Sequence, residues 1–564
     1  MGLPGMSDRE NRSVSQSSTP FGYWRRADFL FLITLLVIAG GMRLWHLNHT
    51  EVTARDSIGF IRIAWRMGTE PFVNVLRESH QHPGFPAAIL ATAKIMGHEP
   101  ASANPFDPDP AAPKQFQRAA QILSSISSTL LVVPMYLLGR ILIGSIGSFW
   151  ACLLFQALPA SGRLFADGLS EGLFLLMATT ALLSAWMCLD DMHPKKNRYL
   201  YWALLTGFFS GAAYLIRPEG LFIGGWAFLG IGLLAWRQKN DRKQRLLQMG
   251  AVAATLLLVG GPFVATIGHI TTKPTAKQIL EGEDTPLPGT ENKPAVTQNP
   301  FQSPTATFAM DLPLAVWWEG GAAGTLQRLF WGAHALIYTW TRGMFWVFGL
   351  PIFWTIWRNR QRLWTLRMLP VWGFVLTMAA ALFKVASQMG YLSDRHMILL
   401  LLLGCYPGIW GIFDLFSPIC NWLGKRGWPR FADALPSLVV AGLIVTPLVR
   451  TLEPLHSNRT GFREAGEWIM ENSRPGDPVI DGFCWTHYYA GRVFTEIGPK
   501  GIPISDPPVQ YIIVERSNNK HLRLQTFNEE DLVAKGGKAV WTSTPRKDKA
   551  IVVVYRLPWD KPKD

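Results

Sequence analysis

The sequence predicts a polytopic α-helical membrane protein of about eleven spans that ends in a small C-terminal extracytoplasmic α/β domain. Three observations carry this reading. Runs of about 20 apolar residues recur, each long enough to cross a bilayer core of roughly 30 Å. Of the 564 residues, 49% are hydrophobic and only 17% are charged, and the 24 Trp suit aromatic belts at two membrane interfaces. Beyond Leu452 the pattern changes to one helical stretch and several short β-type runs.

The spans read as 29–47, 120–139, 142–160, 168–189, 199–216, 219–236, 247–268, 333–357, 366–384, 396–416 and 434–450. Basic clusters alternate with them: Arg25-Arg26, Lys195-Lys196-Asn197-Arg198, Arg237 to Arg245, Arg358 to Arg367, and Lys425-Arg426. All fall on one side, which the charge bias assigns to the cytoplasm. Orientation in a membrane therefore accounts for the net charge of +14, and no nucleic-acid partner is expected. The other side receives residues 48–118, 161–167, the break at Arg217-Pro218-Glu219, the loop 269–332, the turn 385–395 and the tail. The chain divides into an N-terminal tail (1–28), a transmembrane region (29–450) with outer loops 48–118 and 269–332, and the α/β domain (451–564). The N-terminal tail shows no cleavable signal with a small-residue site. Cys152, Cys188, Cys405, Cys420 and Cys484 are scattered, with neither a disulfide framework nor zinc spacing. No internal repeat is evident.

In the first outer loop, Ile58–Met67 is amphipathic. Arg55, Arg62 and Arg66 share one stripe, with Phe60, Ile63, Ala64 and Met67 opposite, the pattern of a helix lying in the interface. The stripe suits a phosphate or pyrophosphate, or anionic headgroups in general. Asp56 stands at the foot of the first span. It reads as a general base for an acceptor hydroxyl or amine, or as the N-cap of a helix starting at Ser57. His80-Gln81-His82-Pro83 is a turn whose histidines hydrogen-bond a neighbour or a substrate; with Glu78 as the nearest third ligand it makes only a weak metal site. Residues 85–97 form an apolar segment too short to span, and Asn104 to Pro113 reads as surface loop.

Asp167 and Glu171, four apart at the start of the fourth span, either complement the helix dipole or face a cavity as a pair that binds sugar hydroxyls. Arg163, Arg217, Lys384 and Arg395 break the charge bias of the outer side, as functional groups or as interfacial snorkels. In Tyr391-Leu392-Ser393-Asp394-Arg395-His396, Arg395 is placed to compensate charge on a leaving phosphate, with Tyr391 and His396 as donors. Residues 269–316, rich in Thr, Pro, Gly and Lys, read as a lid or as a tolerated insertion. Trp317-Trp318-Glu319 reads as an interfacial aromatic anchor. In the tail, Gly461–Asn472 is helical, and Pro478–Asp481, Arg492–Ile497, Gln510–Glu515, Ala539–Thr542 and Ala550–Arg556 are β-type runs.

Several of these segments together resemble the GT-C superfamily of membrane glycosyltransferases, most closely the bacterial family 39 type related to protein mannosyltransferases and to the lipid A aminoarabinose transferase. They are Arg55-Asp56, His82-Pro83-Gly84-Phe85-Pro86, Arg118 to Gly139, Asp167-Gly168-Leu169-Ser170-Glu171, Tyr214-Leu215-Ile216-Arg217-Pro218-Glu219-Gly220, and Tyr391 to His396. The resemblance covers most of residues 28–415. Many relatives carry two acids in the first loop; here Ser57 follows Asp56, which leaves one.

The resemblance implies a sugar donor linked to polyprenyl phosphate, inversion by direct displacement, and Asp56 as base. Arg395, with Arg217 or Lys384, would stabilise the departing lipid phosphate. No cofactor and no metal is implied. The acceptor would be a glycolipid, a polysaccharide or a protein. The setting would be the bacterial inner membrane, with the site facing the periplasm or exterior. A transporter or flippase of lipid-linked saccharide is the alternative, but it predicts inverted repeats and a midplane site. A scaffold whose tail binds a partner is a third reading.

Overall fold

The computed structural model describes residues 24–100, 111–190, 196–273, 325–389, 392–474, 477–494, 509–516, 529–544 and 551–558. Tyr391, Trp317-Trp318-Glu319 and the 274–324 part of the long outer loop lie outside the described residues. Nine helical runs among the described residues are long and apolar enough to cross a membrane. Helix α1 (Arg26–Asn48) leads into three outer helices, α2 (Arg55–Thr69), α3 (Phe72–Glu78) and α4 (Gly84–Ile95). The bundle continues with α5 (Ala112–Leu130), α6 (Val132–Ala157), the short α7 (Pro159–Leu164), α8 (Glu171–Leu189), α9 (Lys196–Ile216), α10 (Gly220–Arg237) and α11 (Arg242–Ile267). Beyond residue 324 come α12 (Thr325–Gly343), α13 (Leu350–Arg358), α14 (Arg360–Leu363), α15 (Leu369–Met389), α16 (Ile398–Lys425) and α17 (Pro429–Thr451).

One of the nine runs, Ala112–Ala157, is not a single rod. Gly144 adopts φ 79° and ψ 173°, and the Ser148 hydroxyl donates to the Tyr136 carbonyl at 2.7 Å. In a continuous helix twelve residues would separate these groups by about 18 Å. The chain therefore reverses at Gly144, the third residue of the predicted span 142–160, so that span starts later than the apolar pattern suggests. The predicted span 333–357 needs correction, because it is broken into α12 and α13. Phe345 and Trp346 both sit at φ 51°, and Pro351 opens α13, where its missing N–H costs nothing. The turn at Arg217-Pro218-Glu219 separates α9 from α10, which pack side by side.

Helix α8 is apolar all round and lies at the centre, touching α5, α6, α9, α10 and α15. Its first residue, Glu171, is consequently sunk into the middle of the bundle end. Helix α2 turns its apolar face onto protein: Ile58, Phe60, Ile61, Ala64, Trp65 and Met67 are buried, Phe60 meets Phe85 edge-on, and Trp65 meets Phe116. The expected interfacial helix is thus packed on α4 and α5. Gly84 lets α4 approach the end of α9, since a Cβ there would lie 2.8 Å from the Leu215 carbonyl oxygen.

The C-terminal segment holds α18 (Thr460–Asn472), α19 (Trp485–Tyr489) and α20 (Glu529–Ala534), with strands β1 (Val479–Ile480), β2 (Val509–Arg516), β3 (Lys538–Thr542) and β4 (Ile551–Pro558). The sheet order is β1-β2-β4-β3, with β1 parallel to β2 and the other pairs antiparallel. The predicted β-run Arg492–Ile497 needs correction: Arg492–Phe494 is a single 3-10 turn, and 495–497 lie outside the described residues. Tyr488 and Tyr489 of α19 donate to the Pro113 carbonyl and to Gln117, so this segment is seated on the start of α5.

Candidate active site

Asp56 owes its position to contacts on both sides of its segment. The Trp485 indole donates to the Thr53 carbonyl at 2.9 Å, and the Thr53 amide donates to the Tyr489 hydroxyl at 3.0 Å. The Ser57 hydroxyl donates to the Gly168 carbonyl at 2.9 Å. Gly168 sits at φ 68°, and a Cβ there would lie 2.9 Å from the Ser57 Oγ, so side chains other than hydrogen strain both the turn and its neighbour. Helix α2 begins at Arg55 with Ala54 as N-cap, which puts Asp56 inside the first turn and displaces the capping reading. The Asp56 side chain is 63% exposed.

From Asp56 an ion-pair chain runs into the bundle. Arg395, in the turn before α16, bonds the Asp56 carboxylate through Nη1 and the Glu171 carboxylate through Nε. Arg217 Nη1 donates to the same Glu171 oxygen at 2.9 Å, and its Nη2 reaches Glu219 at 3.3 Å. Glu171 is fully buried. An unpaired charge there would cost several kcal/mol, so the two arginines are what make it tolerable. Arg395 thus joins the exposed carboxylate of α2 to the buried carboxylate of α8.

The charges hold one another. Burial alone would raise Glu219, but Arg217 and then Lys273 outweigh it and hold it at about 2. Burial alone would lower Arg395 and Arg217. Glu171 and Asp56 instead raise Arg395 above the usual arginine range, and Glu219 and Glu171 do the same for Arg217. Burial, with Arg217 and Arg395 nearby, pushes His396 down to about 4, so it is neutral at pH 7. Lys273, just beyond α11, is lowered by burial to about 8 despite Glu219. Three carboxylates (Asp56, Glu171, Glu219) thus face three cations (Arg217, Lys273, Arg395).

The other predicted residues distribute as follows. His82 is buried behind this cluster, with Nδ1 at 2.7 Å from the Tyr214 carbonyl and Nε2 at 3.0 Å from Thr271 Oγ1. His80 is exposed, so the two histidines do not face one point. His396 Nδ1 accepts from the Ser393 amide at 3.2 Å. Asp167 leaves Glu171 and pairs with His456 of the C-terminal segment at 2.9 Å. Arg55 lies beside Asp481 and Cys484, and Arg62 acts on Glu70 and Cys484, so this part of the stripe faces the C-terminal segment. Arg66 pairs with Glu70 and Glu78. Arg163 lies 3.9 Å from Glu453. Lys384 sits on α15, where its carbonyl accepts the Ser387 hydroxyl. The lysine felt by Glu219 is Lys273.

Lys273 was absent from the sequence-based site because it stands in a loop read as lid or insertion. Its signal is a lone lysine six residues past the end of a span, before Pro274. Asp481 is likewise new: it accepts the amides of Phe483, Thr486 and His487, and so fixes the start of α19 that holds Thr53.

No protein-family model matches the chain, and no curated protein matches it. Solved structures do share its fold. ArnT from Cupriavidus metallidurans bound to undecaprenyl phosphate aligns with a TM-score of 0.53 at 10% identity, covering 93% of this chain and 97% of that one. The same protein in the apo state gives 0.51 at 11% identity, over 94% and 98%. The Archaeoglobus fulgidus oligosaccharyltransferase tethered to an acceptor peptide gives 0.50 at 13% identity, over 86% and 69%. The chain therefore has the multi-pass helical fold of the GT-C glycosyltransferase superfamily.

Proposed function

We propose that this chain is an inverting membrane glycosyltransferase that moves a sugar from a polyprenyl-phosphate donor to an extracytoplasmic acceptor. The observation that carries the reading is the ion-pair chain: an exposed carboxylate, Asp56, is joined through Arg395 to the buried Glu171 and Arg217 at one end of a GT-C fold. One end of this chain meets solvent and can take a proton. The rest concentrates arginines, which suit a phosphate.

In the reaction Asp56 takes the proton of the acceptor hydroxyl or amine as that atom bonds to the anomeric carbon. The bond from that carbon to the phosphate oxygen breaks, and the polyprenyl phosphate leaves with the electron pair. Arg395 and Arg217 receive the developing charge. Groups preorganised in this way are each worth about 10²–10³ in rate. Arg395 also grips Asp56 in the unliganded site. A phosphate competing for Arg395 loosens that grip and frees the carboxylate to act as base, so donor binding primes the base.

The test is transfer from a labelled polyprenyl-phosphate sugar by the purified full-length chain in detergent. The reading predicts sugar release or transfer that is lost when the lipid phosphate is replaced by a neutral lipid alcohol. Unidirectional or exchange movement of intact donor across a vesicle membrane, without cleavage of the sugar–phosphate bond, would instead mark a flippase.

A further inference from the structure

The hairpin between α16 and α17 stands at the end of the bundle away from the active site. Helix α16 starts at Ile398, just past Arg395, and its 28 residues carry the chain about 42 Å from there. It ends in a fixed turn. Gly427 sits at φ 88°, its amide donates to the Gly424 carbonyl at 3.2 Å, and the Trp428 amide donates to the Leu423 carbonyl at 3.1 Å. This pair of bonds is a Schellman motif, which requires a left-handed residue where Gly427 stands. Pro429 then opens α17, where its ring presets φ and its missing N–H costs nothing. The chain therefore reverses over Arg426, Gly427 and Trp428 with little freedom.

This rigid tip gathers cations and rings. Lys425, Arg426 and Arg430 fall within six residues, and no acid lies between Asp414 and Asp433. All three cations are exposed, and none makes an ion pair within 4.0 Å among the described residues. Other cations of this end are neutralised: Arg140 lies 3.4 Å from Asp28, and Arg367 lies 2.8 Å from Asp190. The Arg426 guanidinium rests over the Trp422 ring, one helical turn back, at 4.1 Å. Stacking of this kind fixes a guanidinium and leaves the N–H groups of its edge available. Trp428 and Phe431 meet edge-on at 6.3 Å, and both are exposed, Trp428 by 62%. Gly427 to Phe431 line an open cleft of about 410 Å³.

Each part has a use at a lipid headgroup. Both helices of the hairpin are long and apolar enough to cross a membrane, so their joint lies at an interface. Aromatic rings settle there against glycerol and upper acyl chains, and guanidinium groups suit phosphate. An acidic protein would meet the cations but would leave the rings at that depth without a role. Basic pockets between spans are where anionic headgroups are held.

We propose that the tip of the α16–α17 hairpin binds an anionic phospholipid of the leaflet away from the active site. Arg426 and Arg430 take its phosphate, and Trp428 and Phe431 pack on the part below the headgroup.

The experiment is native mass spectrometry of the full-length chain, stripped of lipid in detergent. It is titrated with cardiolipin, phosphatidylglycerol or phosphatidylethanolamine, and with inorganic phosphate as competitor. The wild type is expected to fill a first site with the anionic lipids in preference to phosphatidylethanolamine, cardiolipin best because it carries two phosphates. Inorganic phosphate should not displace them. Near a membrane surface each Lys or Arg is worth about fivefold in affinity, so Arg426→Gln with Arg430→Gln should weaken the first site by about 25-fold. Arg358→Gln with Arg360→Gln removes the same charge beside α16, where Asn359 donates to Asp414 at 3.1 Å, and should leave the first site unchanged. All four arginines are exposed, so both pairs should fold, and melting in lipid-free detergent checks this. Equal affinity of the wild type and the Arg426/Arg430 pair, an equal loss in the Arg358/Arg360 pair, or equal binding of phosphatidylethanolamine would overturn the assignment. So would displacement by inorganic phosphate, which marks a free-ion site. Retention of a second copy of the chain, abolished in the Arg426/Arg430 pair, would overturn it in favour of a subunit contact.

Discussion

Replacing Glu171 by Gln removes one charge from the middle of the ion-pair chain. The carboxylate is fully buried and one of its oxygens serves both Arg395 and Arg217. Its loss leaves three cations facing two carboxylates. Breaking a buried pair by removing one partner costs about 3–5 kcal/mol, because the remaining charge stays desolvated. Asp56→Asn cuts the same chain at its other end. There the carboxylate is 63% exposed, and solvent screening limits the pair to at most about 1 kcal/mol. The account therefore predicts opposite profiles: Glu171→Gln folds with clearly reduced stability, and Asp56→Asn folds almost as the wild type does. Thermal unfolding of both variants in one detergent, followed by tryptophan fluorescence, measures the contrast. Equal melting temperatures for Glu171→Gln and wild type, or Asp56→Asn as damaging as Glu171→Gln, would refute the reasoning from burial.

Arg395→Lys keeps the charge but cannot bridge Asp56 and Glu171 with one planar fork, so turnover should fall about 10²–10³-fold in a transfer assay. Gly168→Val should lower both stability and turnover, because φ 68° disfavours it and its Cβ meets Ser57, whose bond holds Asp56; the cost is about 1–3 kcal/mol by chemical unfolding. His82 has a folded value of about 4, below its ordinary 6.5, so the unfolded chain binds the extra proton first. Stability should be full above pH 6.5 and fall as pH drops toward 4, by up to about 3 kcal/mol from this residue. His82→Asn should flatten that slope in melting curves taken from pH 7 to pH 4.

The bundle was legible in the sequence because its period and length are local properties: α8 and α16 are apolar enough to be found without any partner. Arg217, Glu171 and Arg395 were legible too, as charges at span ends where a lipid-facing helix carries none. What escaped was set by non-local packing. Nothing in Ile58–Met67 distinguishes a helix lying on lipid from one lying on α4 and α5. The break at Phe345 and Trp346 depends on backbone angles that the apolar pattern of 333–357 hides. Asp167 and Glu171 share a helical spacing, but Gly168 turns the chain between them and sends Asp167 to His456. Lys273 had no motif, and its segment is held by distant partners, Thr271 by His82 and Ile270 by Tyr214.

The most direct measurement is the rate of sugar transfer from a labelled polyprenyl-phosphate donor by purified wild type and Asp56→Asn, compared at equal folded concentration. The account predicts transfer by the wild type and a loss of about 10²–10⁴-fold in the variant, the range for removing a general base. An Asp56→Asn enzyme as fast as the wild type would contradict it.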